Sequence, residues 1–247
     1  MQCPGQDSRY WDGEAIFEST CKGCGASIEF FKDDSKRRCR ACGAENLNPK
    51  IDFGCAAYCP YAEQCLGTMP PELLSRKQDL LIDRVALEMK QTFGQDFRRI
   101  GHATKVARHA GAINETEGGN RAVVLVTAYL HDIGIHEAER KYQSTSARHQ
   151  HEEGPPIARA ILERLGANPG LTDEVCDIIG HHHWPRAEET INFKIVYDAD
   201  LIVNLDEERQ ENPIPPARLA NILEKSFLTE SGRRLAAEVL AAQSNIA

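Results

Sequence analysis

In the stretch "LVTAYLHDIGIHEAER", His131 and Asp132 stand side by side at the end of an apolar run, Leu125, Val126, Ala128, Tyr129 and Leu130. Imidazole and carboxylate both ligate divalent ions, so a helix that ends in the pair delivers two ligands from the core to one point. Other polar groups fall at apolar positions. On a helix expected over 95–113, His102 shares a face with Val106, His109 and Ile113 and points inward. On a helix expected over 172–183, Val175, Ile178 and Ile179 define the buried stripe; His182 falls at its centre, with His181 and His183 on opposite flanks. "IVYDADLIVNL" sets Asp200 among apolar residues, where an unpaired carboxylate is costly to bury and a cation would offset the cost.

Cysteine supplies a second chemistry. Eight of the nine cysteines lie in the first 65 residues, with no export signal before them, so they read as metal ligands rather than a disulfide framework. Cys21/Cys24 and Cys39/Cys42 form two CxxC pairs on turns that carry Gly23, Gly25 and Gly43, and "SIEFF" between them is a strand candidate. Over about residues 15–48 this resembles a zinc ribbon, which implies zinc on those four thiolates. In "CAAYCPYAEQC", Cys55, Cys59 and Cys65, with Cys3 as the spare fourth, are spaced for an iron–sulphur cluster or a second zinc; burial as small side chains on a helical turn is the competing reading. Basic "KRRCR" (36–40) suits nucleic acid or an acidic partner, but Asp33 and Asp34 beside it favour a solvated knuckle.

The elements that must position these groups divide the chain in two. At 247 residues it is long enough for a cysteine-rich domain over 1–66 and a larger domain over 67–247. From Pro70 onward helical periodicity takes over. "PPELLSRKQDLLIDRVALEMKQTF" places Leu73, Leu74, Leu80, Leu81, Val85 and Leu87 at helical spacing, and further helices are expected over 95–113, 119–133, 155–166, 172–183, 188–205, 214–225 and 229–242. Breaks are expected at "GAINETEGGN", "GPP", "GANPG" and "ENPIPP". The fold class is therefore mainly α behind a small cysteine-rich module. No apolar run approaches the ~18 residues of a membrane span, and the expected location is the cytoplasm. A net charge of −8 argues against electrostatic capture of nucleic acid and favours small or sheltered substrates.

His102, His131–Asp132 and Asp200, in that order in a helical chain and with a histidine pair before the last aspartate, resemble the HD-domain superfamily of metal-dependent phosphohydrolases over about 72–245; "HDIG" matches the variant that names one subgroup. The resemblance implies one divalent ion (Mn, Fe, Co, Ni or Mg) on His102, His131, Asp132 and Asp200. Members with two metals use two further histidines. His182 fits the second, while for the first "SARHQHEEGPP" offers His149 and His151, and the usual spacing puts Gln150 at the ligand position. Where many members carry lysine after the HDIG glycine, this chain has Ile135; Arg98, Arg99, Lys141, Arg148 and Arg186 are candidates to meet transition-state charge instead. His109 reads as a core histidine, His136 and His149 as exposed loop residues, and Cys176 as packing.

The expected activity is hydrolysis of a phosphate ester, nucleotide-like, with His131, Asp132 and His182 as catalytic residues; His182 would bind phosphate or protonate the leaving oxygen. Two rivals remain: an HD-type diiron oxygenase, which needs all six ligands, and a non-catalytic module that senses a nucleotide. The expected partner is a small phosphorylated substrate, with the cysteine-rich domain available for a protein partner or a second copy, and no membrane.

Overall fold

The computed structural model describes residues 16–31, 34, 36–49 and 71–241, the side chains of 71–73 excepted. It contains two compact units, Met1–Lys77 and Gln78–Ala247. The strip with Cys55, Cys59 and Cys65, and Cys3 with it, lies outside the described residues.

The front unit is zinc-ribbon-like, and its described residues before Pro71 form two antiparallel hairpins. Strand β1 (Ile16–Thr20) pairs with β2 (Ser27–Phe31), Glu18 opposite Glu29, and β3 (Lys36–Arg38) pairs with β4 (Glu45–Leu47), Arg37 opposite Asn46. Each CxxC pair occupies a hairpin turn, and the two turns are built alike. The Cys21 amide donates to the Ala26 carbonyl and the Gly25 amide to the Cys21 carbonyl; Cys39, Ala44 and Gly43 repeat the pattern. Gly25 (φ 75°) and Gly43 (φ 76°) take left-handed conformations that a β-carbon disfavours, so both turns need glycine there. Among the described residues its buried core is Ile28, Phe30, Cys21 and Cys39, with Phe17 stacked on Phe30 at 5.9 Å.

The second unit is all-helical among its described residues. The helices are α1 (Pro71–Phe93), α2 (Phe97–Glu117), α3 (Arg121–Leu130), α4 (Ile135–Tyr142), α5 (Ala147–Arg164), α6 (Pro169–Ile179), α7 (Ile191–Glu211), α8 (Pro216–Lys225) and α9 (Glu230–Ala241). Starts follow local chemistry: Asp96, Asn120, Asn168 and Thr190 each accept a first-turn amide hydrogen bond through the side chain. Helix α2 packs on α3 and α7, α3 on α6 and α7, α5 on α4 and α6, and α9 on α7.

Helix α3 is central because "AVVLVTA" leaves it no polar face, and Ala122 to Ala128 are all buried. One side meets Ile82, Val85, Met89 and Ile179, and the other meets Val106, Ile195, Val196 and Ala199. A helix surrounded in this way ends deep in the protein, which is why His131, at its C-terminal cap, is 1% exposed. No helix among the described residues is long and apolar enough to cross a membrane.

Three expectations need correction. In α1 the buried stripe is Ile82, Val85, Met89 and Phe93, whereas Leu74 and Leu87 are exposed; the stripe at i, i+3, i+7 and i+11 is the one that faces the core. "IHEAERKY" forms helix α4, which the sequence reading omitted. Helix α5 begins at Ala147 and runs through "GPP", where a break was expected. Pro155 and Pro156 lack amide protons and so free the carbonyls of His151 and Glu152, but packing on α4 and α6 keeps the helix continuous.

Candidate metal centre

Four elements meet at the C-terminal end of α3. His102 comes from α2, His131 and Asp132 from the α3–α4 turn, His182 and His183 from the turn after α6, and Asp200 from α7. Donor atoms of His102, His131 and Asp200 lie within 4.8 Å of one another, as do those of His131, Asp132 and His182. His102 Nε2 is 3.1 Å from Asp200 Oδ1, 3.3 Å from His131 Nε2 and 4.0 Å from Asp132 Oδ2. His131 Nε2 lies 3.5 Å from both Asp132 Oδ2 and Asp200 Oδ1.

The outer atoms explain which nitrogens face inward. His131 Nδ1 donates to the Ala128 carbonyl at 2.9 Å, and His182 Nδ1 to the Ile179 carbonyl at 2.9 Å. His102 Nδ1 faces Glu207 Oε2 at 3.4 Å, and Glu207 is held in turn by Lys105 at 3.1 Å. Each imidazole thus spends one nitrogen on an orienting acceptor and turns Nε2 into the cluster, the arrangement that metal-bound histidines need. His182 Nε2 is buried with no hydrogen-bond partner, although Asp132 Oδ1 lies 3.8 Å away. An orphaned buried acceptor is costly unless something outside the polypeptide binds it, and a cation fits this donor set.

Electrostatics agree. Burial disfavours charge on His131, but Asp132 and Asp200 outweigh it and raise its pKa to about 9. Burial alone would raise Asp200; His102 and His131 instead hold it well below the ordinary carboxylate range. Without a cation, a proton on His131 balances the carboxylates. Burial, with His183 and His131 adding repulsion, pushes His182 well below its usual value, so it stays neutral.

A further group adjoins the first. His151, His182 and His183 also bring donors within 4.8 Å, with His151 Nε2 3.0 Å from His183 Nδ1 and His151 Nδ1 buried without a partner. Burial, then His183 and His181, lowers the His151 pKa to about 4. Gln150, at the position suggested by family spacing, points elsewhere and donates to the Thr145 carbonyl at 2.6 Å. The sequence projection set His183 aside on a flank. Helix α6 ends at Ile179, however, so residues 181–183 follow a turn rather than 100° steps and His183 turns toward His151. His181 turns away, with Nδ1 on the Asp177 carbonyl and Nε2 3.0 Å from Glu189.

Glycine makes the two groups adjacent. A β-carbon on Gly134 would lie 2.4 Å from the Gly154 amide nitrogen, 2.8 Å from its Cα and 2.9 Å from the Gln150 carbonyl oxygen. The glycine of "HDIG" therefore lets the α3–α4 turn touch the α5 backbone, which carries His151 to the cluster.

Other candidates lie apart. His109 is buried in α2 and belongs to none of these groups. His136 and His149 are in helices rather than loops and are half-buried: His136 bonds Asp96 at 3.1 Å, and His149 stacks on Tyr142 at 4.0 Å. Arg98, Arg99, Lys141, Arg148 and Arg186 all pair with carboxylates, of Glu211, Glu139, Glu153, Glu152 and Asp177. Asp198, two positions before Asp200, faces away and caps α9 by accepting from the Leu228 and Thr229 amides at 2.8 Å.

In the front unit Cys21, Cys24, Cys39 and Cys42 form one tetrad, with Sγ–Sγ distances of 3.6 Å (Cys21–Cys42) and 3.7 Å (Cys24–Cys39). Burial raises the Cys21 pKa, but hydrogen bonds from the Gly23 and Cys24 amides and Asn46 reverse this and bring it to about 6, whereas the Ala26 amide lowers that of Cys24 but the Cys42 and Cys39 sulphurs outweigh it and push it up to about 12, so the tetrad shares its negative charge unevenly. In the basic stretch Lys36 and Arg38 pair with Glu45, and Arg37 pairs with Asp34 and lies over the Phe31 ring.

The family model of the HD domain matches residues 99–205, a span that starts beside His102 and ends after Asp200. A predicted HD superfamily hydrolase from an uncultured Thermotogales bacterium aligns with 66% of this chain and 85% of its own, at 22% identity and a TM-score of 0.47. No curated protein matches. Over residues 99–205 this chain is therefore similar to the HD domain.

Proposed function

We propose that the protein is a metal-dependent phosphohydrolase acting on a nucleotide-like phosphate ester. The observation that carries the reading is the buried, unpartnered Nε2 of His182 beside a cluster of inward-facing imidazoles and carboxylates. His102, His131, Asp132 and Asp200 would hold one divalent ion, and His151, His182 and His183 have the donors for another. Such an ion lowers the pKa of a water and polarises a phosphoryl oxygen.

The side chains do the rest. The Ala128 and Ile179 carbonyls and Glu207 fix the imidazole tautomers, so the donors are oriented before any ligand arrives. His182, neutral and with its only proton on the Ile179 carbonyl, is a ligand rather than the proton donor to the leaving oxygen. Asp132, at 19% side-chain exposure against 8% for Asp200 and 1% for His131, is the ligand nearest solvent, so substrate enters on its side.

The His151–His182–His183 group also favours a second reading, an HD-type diiron oxygenase, because any two of its histidines would bring the four ligands above to the six that such a site needs. Metal analysis of anaerobically purified protein, combined with a phosphoester panel, separates the two. Metal-dependent phosphate release that disappears in Asp132→Ala, together with metal from the helical unit, supports hydrolysis. Two irons per chain with oxygen consumption and no phosphate release would refute it.

A further inference from the structure

Trp184 directly follows the histidine turn and is 55% exposed, although it is among the largest apolar side chains in the protein. Its ring is perpendicular to His151 (85°) with centroids 4.7 Å apart, and His151 in turn lies 4.9 Å from His182. A perpendicular contact engages at most one indole face. The turn beneath it is pinned. The Trp184 amide donates to the His181 carbonyl at 2.7 Å, the Arg186 amide to Glu189 at 2.7 Å, and the Arg186 guanidinium grips Asp177 at 2.9 and 3.1 Å. Core packing does not account for an exposed indole on a rigid turn at the rim of the histidine cluster. A planar aromatic group stacked on it from solvent would.

Resting on the phosphohydrolase reading above, we propose that Trp184 is the specificity-determining residue of this site. It stacks on the nucleobase of a nucleotide whose phosphate reaches the metal cluster, so nucleotides are preferred over aliphatic phosphoesters. A rigid platform of this kind binds a base through its π-face and needs no base-edge hydrogen bonds, so purines and pyrimidines are both accepted.

The test compares adenosine 5′-monophosphate with β-glycerol phosphate, Mg2+ or Mn2+ being supplied, in wild type, Trp184→Ala and Trp184→Phe. Loss of one base–aromatic stack raises KM for the nucleotide about tenfold or more in Trp184→Ala. KM for β-glycerol phosphate stays within about twofold, and Trp184→Phe restores most of the nucleotide affinity, because it keeps a π-face. Equal KM changes for both substrates, or none for either, overturn the proposal. Binding provides a readout independent of turnover. The nucleotide, unlike β-glycerol phosphate, quenches tryptophan fluorescence saturably in wild type, and Trp184→Phe, which retains Trp11, loses the quench. If wild type hydrolyses neither probe, the hydrolase reading fails while saturable quenching from Trp184 still supports stacking; an absent quench overturns stacking whatever the activity.

Discussion

Gly134→Ala is the sharpest test of how the centre is assembled. The added β-carbon meets three backbone atoms of α5 at 2.4, 2.8 and 2.9 Å, all closer than van der Waals contact. Backbone inside a helix cannot rotate away as a side-chain tip can, so the turn and α5 must separate. Overpacking of this kind costs about 1–3 kcal/mol, and with three contacts against backbone the upper figure applies. The helical unit is 170 residues long (78 to 247), and at that size each kcal/mol shifts Tm by about 2–4 °C, so a drop of about 6–12 °C is expected in circular-dichroism melts. The strain falls on α5, so His151 should be displaced from His182 and His183 while His102, His131 and Asp200 keep their places. Metal stoichiometry should then fall at the three-histidine group first. Gly101→Ala is the control: its β-carbon meets nothing within 4 Å, and in a helix the change is neutral or stabilising by up to about 1 kcal/mol. A Gly134→Ala protein that melts within about 2 °C of wild type and keeps full metal content would refute the close-approach argument.

Two further outcomes follow from the charges and thiols. The raised His131 pKa of about 9 means that the metal-free fold gains stability from the charged imidazole below the unfolded value near 6.5 and loses it as pH rises toward 9. A metal needs His131 neutral, so its affinity should rise about tenfold per pH unit over that window, with about one proton released per ion in calorimetry across buffers of different ionisation enthalpy; a pH-independent affinity would contradict this. Cys21→Ser should remove one ion from the front unit and abolish its hairpins while the α-helical signal persists; zinc content unchanged by elemental analysis would exclude the tetrad as its site.

Some of this protein can be read directly from residue order, because the relevant interactions are local. Each CxxC pair with its glycine closes within one hairpin turn, and the tetrad follows from two such turns. His131 and Asp132 are adjacent in the chain, and the apolar run before them makes α3 central, so the burial of His131 was legible as well. Asp200 could be picked out from its apolar neighbours. Contacts between segments distant in sequence were not legible. That α5 runs through Gly154, Pro155 and Pro156, that His151 rather than Gln150 faces the cluster, and that His183 joins it all depend on α5 seating against Gly134 and on where α6 stops. Helical projection assumes a continuous helix, and past Ile179 it has no angle to add. Local chemistry settles how a turn or helix forms, but which side chains share a site is decided by backbones that approach closely only once the whole helical unit has packed.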